Sequence, residues 1–197
     1  MRPFHWNDDF LVEELPVVDG EVQRDAARLI TKWALVDRYR GDGAVAKMFW
    51  TGCGPEDPDT ALCCSVAHDS HNVWVIGSSD AAMAKAVNRL QEIDGGWVLV
   101  HKGEIVAEVR YEIAGLMTAR SAEALDAEMQ AFYQQASKVT WMYAPTALNL
   151  WKPGFPDYLV FATLTCAPWR WVLVAPSKLA PNGFVNVQTG ATHEVVW

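Results

Sequence analysis

The sequence predicts an α+β or layered α/β fold, a mixed β-sheet flanked by helices. Three observations carry this expectation. Apolar runs rich in β-branched and aromatic residues recur at strand length, as in Ile30 to Tyr39, Ala61-Leu62-Cys63-Cys64 and Val73-Trp74-Val75-Ile76. Two other segments repeat apolar residues at helical spacing behind Ser-containing caps. Trp97–His101 and Glu104–Arg110 flank the two-residue loop Lys102-Gly103, which reads as a hairpin.

Along the chain, residues 1–28 read as an irregular N-terminal arm packed on the domain, with Asp19-Gly20 as a turn. Residues 29–197 read as one domain. Ile30 to Tyr39 is the first long strand, and Asp42-Gly43 turns the chain into a second over Ala44 to Trp50. Gly52 to Asp59 carries two Gly, two Pro and three acids, which predicts a loop. Ser78-Ser79-Asp80 caps a helix in which Met83, Val87 and Leu90 share a face, and Gly95-Gly96 ends it. A second helix starts near Ser121, with Leu125, Met129, Phe132 and Ala136 along one stripe. Residues 140–157 read as a long loop. Tyr158 to Cys166, Trp171 to Ala175 and the stretch ending at Val187 read as strands, with a break at Pro168.

Composition narrows the class of function. The chain has 197 residues, about half of them apolar, so it can bury a core. Its net charge of −8 leaves no basic face for nucleic acid or an anionic membrane. That acidity leaves small molecules or proteins as partners; no apolar run nears the ~20 residues that span a bilayer, and the N-terminus lacks a signal-peptide core, so a cytoplasmic protein is expected. The four cysteines form no C-x-x-C pair; Cys63 and Cys64 should point to opposite faces of a strand as reduced, buried thiols. Ten tryptophans point to core anchors and to apolar surface that a homo-oligomer would cover.

Chemistry concentrates in Ser65-Val66-Ala67-His68-Asp69-Ser70-His71-Asn72, between two apolar strands. A plain turn needs only Gly or Asn there, whereas this one carries two imidazoles, a carboxylate, a hydroxyl and an amide. His68, Asp69 and His71 are the candidate catalytic set, with one imidazole moving protons and Asp69 orienting it. The same three side chains are the candidate ligands for a divalent transition metal such as iron, manganese or zinc, once a turn at Asp69-Ser70 brings both His to one side. Against both stands a structural role, in which Asp69, Ser70 and Asn72 brace a tight crossing between strands. Ser70, Asn72, Arg38 and Arg89 are the candidate ligand-binding residues, although a helical Arg89 is equally a solvated charge.

This segment, followed by Gly77, by Ala86-Val87-Asn88-Arg89-Leu90, by Gly95-Gly96 and by Ile113-Ala114-Gly115-Leu116-Met117, resembles the C-terminal domain of adenine deaminases. The resemblance extends upstream through Leu15-Pro16, Asp19-Gly20-Glu21 and Val36-Asp37-Arg38, and fades after about Lys138. Tyr39 stands where the family commonly has His. In such enzymes an amidohydrolase barrel holds the metal and performs the hydrolysis. Nothing before residue 28 offers a His-x-His strand or room for the roughly 250 residues of such a barrel. The expectation is therefore an accessory domain standing alone from its own Met1. Three functions follow: a small enzyme acting on a nucleobase-like or other nitrogen heterocycle, an accessory subunit that needs a separate amidohydrolase barrel, or a non-catalytic binding module with a purine-sized pocket.

Overall fold

The computed structural model describes residues 13–51, 53–67, 71–143, 171–173 and 184–186. Its centre is a six-stranded sheet built from β3 (Ile30–Val36), β4 (Val45–Thr51), β6 (Ala61–Cys64), β7 (Val73–Gly77), β8 (Gly96–His101) and β9 (Glu104–Arg110). The strand order is β4-β3-β7-β6-β8-β9, and each neighbouring pair runs antiparallel. Helix α1 (Asp80–Glu92) links β7 to β8, which are not neighbours because β6 lies between them. A helix can bridge two like-directed strands only by crossing over a sheet face, so α1 lies against β6, β7 and β8. Helix α2 (Ala122–Ala136) follows β9 and packs on the other face. The result is an α+β fold in which, among the described residues, one α-helix packs on each side of the sheet.

Both faces of the sheet are therefore buried, and the strands show it. Ala61, Leu62, Cys63 and Cys64 in β6 are all fully inaccessible. Successive side chains alternate between the layers, as a strand requires. Cys63 joins the α1 layer with Met83, Ala86, Leu90 and Val98. Cys64 joins the α2 layer with Trp33, Trp74, Trp97 and Phe132. Edge-to-face ring contacts organise that second layer: Trp74 to Trp97 at 5.7 Å and Trp97 to Phe132 at 6.0 Å between centroids. The tryptophans expected as core anchors are core anchors at positions 33, 74, 97 and 141.

Both helices start where their caps lie. Ser79 accepts the Ala82 N–H, and Ser121 accepts the Ala124 N–H. On α2 the expected stripe is real: Phe132 and Ala136 are buried, and Leu125 and Met129 pack against the same layer.

Two expected loops contain strands. Cys53–Pro55 forms β5, paired with β10 (Trp141–Tyr143), so neither 52–59 nor 140–157 is wholly a loop. A Pro in so short a strand is tolerable because it ends an edge. Gly54 has φ +151 and stands where a Cβ would lie 2.7 Å from the Thr31 side chain, so only Gly permits β5 to press on β3. Short pairings complete the description: β1 (Val17–Val18) with β2 (Glu21–Val22), and β11 (Trp171–Leu173) with β12 (Phe184–Asn186). The strand expected over Tyr158 to Cys166 and the break at Pro168 lie outside the described residues.

The arm is tied down by charge. Lys32 sits on the α1 side of β3 with its side chain 1% exposed, and its ammonium is held by Glu21 of β2 and, at 2.8 Å, by Asp80 at the start of α1. A buried ammonium is tolerable only when paired, and here the pairing joins arm, sheet and helix. Arg24 adds donations to the carbonyls of Pro55 and Glu56.

Candidate functional site

Val36 pairs with Val73, so the residues that leave β3 and those that enter β7 meet at one end of the sheet. Antiparallel order brings the exit of β6, the entry of β8 and the exit of β9 to the same end. Segments 37–40, 65–67, 71–72, 94–96 and 111–117 are thereby gathered from distant parts of the chain.

Asp37 organises the first of them. Its buried carboxylate accepts the N–H groups of Tyr39 and Arg40, both at 3.3 Å, and the Arg40 Nε at 2.7 Å. This side-chain-to-backbone turn is one that Asp favours. It presents Tyr39 outward, with the half-buried Arg38 guanidinium 5.3 Å from the Tyr39 ring centroid. Arg38 Nη2 donates to the Ala114 carbonyl at 2.6 Å, while its Nε is buried with no acceptor among the described residues.

Asn72 is buried, and its Oδ1 accepts the Arg38 N–H at 3.3 Å. His71 is exposed, with φ +53, and its N–H donates to the Ala67 carbonyl at 2.5 Å. A left-handed backbone is uncommon for a non-Gly residue. Tyr39 Oη donates to the His71 carbonyl at 3.2 Å, which joins the two segments.

Ser65 secures the other half. It is fully buried; its Oγ accepts the Gly96 N–H at 2.8 Å and donates to the Gly115 carbonyl. Gly115 has φ +69, and a Cβ there would stand 2.5 Å from Arg38 Nη1 and 3.0 Å from the Asp94 carbonyl. At Gly96 the added atom would collide with the Val109 carbonyl at 1.9 Å. The glycines of the two motifs are thus contact points where backbone must touch backbone or guanidinium.

The structure therefore brings Arg38, His71 and Asn72 together. Arg89 is engaged elsewhere: Nε and Nη2 grip Glu108 of β9 at 2.7 Å each, and Nη1 reaches Glu92 at 2.9 Å. Those hydrogen bonds, led by Glu108, hold its pKa above the ordinary value. His68, Asp69 and Ser70 lie outside the described residues. Among the described residues, no group of three His, Cys, Asp or Glu side chains is arranged to hold a metal. Among the described residues, the thiols offer no nucleophile either. Burial raises Cys53 to about 12 and lifts Cys63 and Cys64 as well, on opposite sides of the sheet. Among the described residues, no helix is long and apolar enough to cross a membrane.

Sequence reasoning singled out Arg38 and Asn72 but gave Ser65 and Gly115 no separate role. Their signal was present in the motifs Gly95-Gly96 and Ile113 to Met117, whose meaning depends on a contact between strands that spacing along the chain does not reveal.

Comparison with known proteins agrees with this arrangement. The family model for the adenine deaminase C-terminal domain matches residues 8–150, which include all the segments gathered at this end. Adenine deaminase 2 of Bradyrhizobium diazoefficiens is 66% identical over the whole chain, and adenine deaminase 2 of a Jannaschia species is 64% identical over the same span. The chain covers 32% of the length of each. Adenine deaminase of Moorella thermoacetica is 38% identical over 65% of the chain. The chain belongs to the adenine deaminase C-terminal domain family.

Proposed function

We propose that this chain is the accessory part of an adenine deaminase, and that its polar segment contributes to a purine site completed by an amidohydrolase barrel. The observation that carries the reading is the span of the relatives: the whole chain matches at 66% identity, yet it fills only 32% of the relative's length. A domain that constitutes a third of a deaminase is best read as a contributor to that reaction.

Deamination of adenine replaces the exocyclic amine by oxygen, with water as the nucleophile and ammonia as the leaving group. In this reading the barrel's metal supplies the activated water. The chain's own groups bind and orient. Arg38 and Asn72 are held by backbone contacts, so their geometry is set before a ligand arrives. His71 stands exposed beside them, and His68 and Asp69 adjoin it in sequence. A purine offers ring-nitrogen acceptors and an amine donor, which suit an imidazole N–H and a carboxylate respectively.

The test is a deamination assay on three samples: the chain alone, the catalytic portion of the Bradyrhizobium relative alone, and the two mixed. Adenine turnover should rise at least tenfold on mixing and be absent with the chain alone. Replacing His68 by Ala should remove most of that rise while circular dichroism stays unchanged. Robust adenine turnover by the chain alone would restore the stand-alone enzyme reading, and purine binding without turnover in any mixture would favour a binding module.

A further inference from the structure

Arg38 differs from most of the described arginines. Arg28, Arg40, Arg89, Arg110 and Arg120 each face a carboxylate within 4.0 Å. Arg38 has none among the described residues, although it is partly buried and fixed on the Ala114 carbonyl. The two segments that meet at it carry three of the large apolar side chains exposed among the described residues: Tyr39 at 61% exposure, Met117 at 60% and Ile113 at 42%. Tyr39 stacks with its guanidinium, and Ile113 and Met117 pair across the turn that holds Ala114. A fixed arginine inside a collar of Tyr, Met and Ile has the composition of an interface core, where aromatic residues, Met and Arg are enriched.

We propose that this collar is the surface on which the catalytic portion of an adenine deaminase docks, presenting a carboxylate to Arg38 and apolar side chains to Tyr39, Ile113 and Met117. The proposal rests on the accessory reading above. Three observations favour this occupant. Relatives that contain the whole of this chain devote about two thirds of their length to something else, so a large covalent neighbour exists for the domain in those proteins. The collar adjoins His71 through the Tyr39 hydroxyl, so a partner seated here would lie beside the candidate purine-binding residues His71 and Asn72. The continuously described chain departs at Tyr143, paired with Cys53 beyond the Thr51 end of β4. That is the end of the sheet opposite Arg38, so the continuously described chain leaves the sheet away from the collar.

The experiment uses the complete chain and the catalytic portion of the Bradyrhizobium relative, expressed separately and mixed, with affinity read by calorimetry and mass by sedimentation. Ile113→Asp combined with Met117→Asp should weaken association at least tenfold, because two negative charges would face the docking carboxylate. Ile105→Asp, on exposed β9 near the other end of the sheet, should leave association unchanged. If the double variant melts early, Met117→Glu alone should still weaken association severalfold. Association of the wild type with equal affinity for the collar variants would overturn the surface and leave the accessory reading standing. No association of the wild type would overturn both. A dimer of the chain alone that Met117→Asp dissolves would overturn the proposal in favour of a second copy.

Discussion

The Oγ of Ser65 accepts the Gly96 N–H at 2.8 Å, at the point where β6 hands its end to β8. The same hydroxyl donates to Gly115, so one buried atom fastens two strand ends to the turn that carries Ala114. Removing it leaves a buried N–H and a buried carbonyl without their partner. Ser65→Ala should cost about 1–3 kcal/mol by chemical denaturation, the range for unsatisfied buried groups. A loss under half a kilocalorie would mean that backbone pairing alone closes this end.

Gly115 is less replaceable than Ser65. Its φ of +69 disfavours any side chain, and Cβ would meet Arg38 Nη1 at 2.5 Å. Gly115→Ala should therefore destabilise by about 1–3 kcal/mol from backbone strain alone. It should also displace Arg38, which an altered Tyr39 ring environment in NMR spectra would report. An unchanged Tyr39 signal would show that the guanidinium is not confined by this glycine.

The Lys32 triad gives opposite expectations for two substitutions. Neutralising both partners, with Glu21→Gln and Asp80→Asn, removes these two counter-charges from an ammonium whose side chain is 1% exposed. Because the carboxylates themselves are about two-fifths exposed, the cost should be about 1–3 kcal/mol, below that of a fully buried pair. Lys32→Met fills the space without a charge and should fall within ~1 kcal/mol of the wild type. Equal losses in both proteins would assign the stabilisation to packing of the stem and not to the charge.

Glu112 supplies an acid-sensitive contact. Its carboxylate accepts the Ala119 N–H at 2.8 Å, is further held by its own backbone N–H, and accepts the Thr118 hydroxyl at 2.8 Å; together these bring its pKa from 4.5 to about 2. A carboxyl lowered in the folded state stabilises fully above its unfolded value. That contribution should fade as the pH falls from about 4.5 to about 2. The Ala119 amide resonance should follow the same titration, with its midpoint at the lower value. A midpoint near 4.5 would show that these hydrogen bonds do not hold in solution.

Local chemistry made much of the fold legible. Ser79 and Ser121 cap helices because their hydroxyls answer free N–H groups, which depends only on near neighbours. The Cys63 and Cys64 alternation needed nothing beyond strand geometry. β5 was not legible, because Cys53-Gly54-Pro55 contains two strand-avoiding residues and its partner Trp141–Tyr143 lies far along the chain. Arg89 shows the same limit at the site: its pairing with Glu92 is visible as a helical spacing, but Glu108 reaches it only because β9 borders β8 at the edge of the sheet. Arg38 was legible through the family motif, and its carboxylate-free setting only through the structure.

The sheet acts as a wall between Cys63 and Cys64, and this changes what the pair is chemically. Adjacent cysteines suggest a vicinal dithiol, able to clasp a trivalent arsenical between two sulfurs. Here each sulfur faces a different hydrophobic layer, one under α1 and the other under α2. In the folded protein this pair should be blind to such reagents, and a label on one of its two sulfurs would instead record which helix has lifted from the sheet.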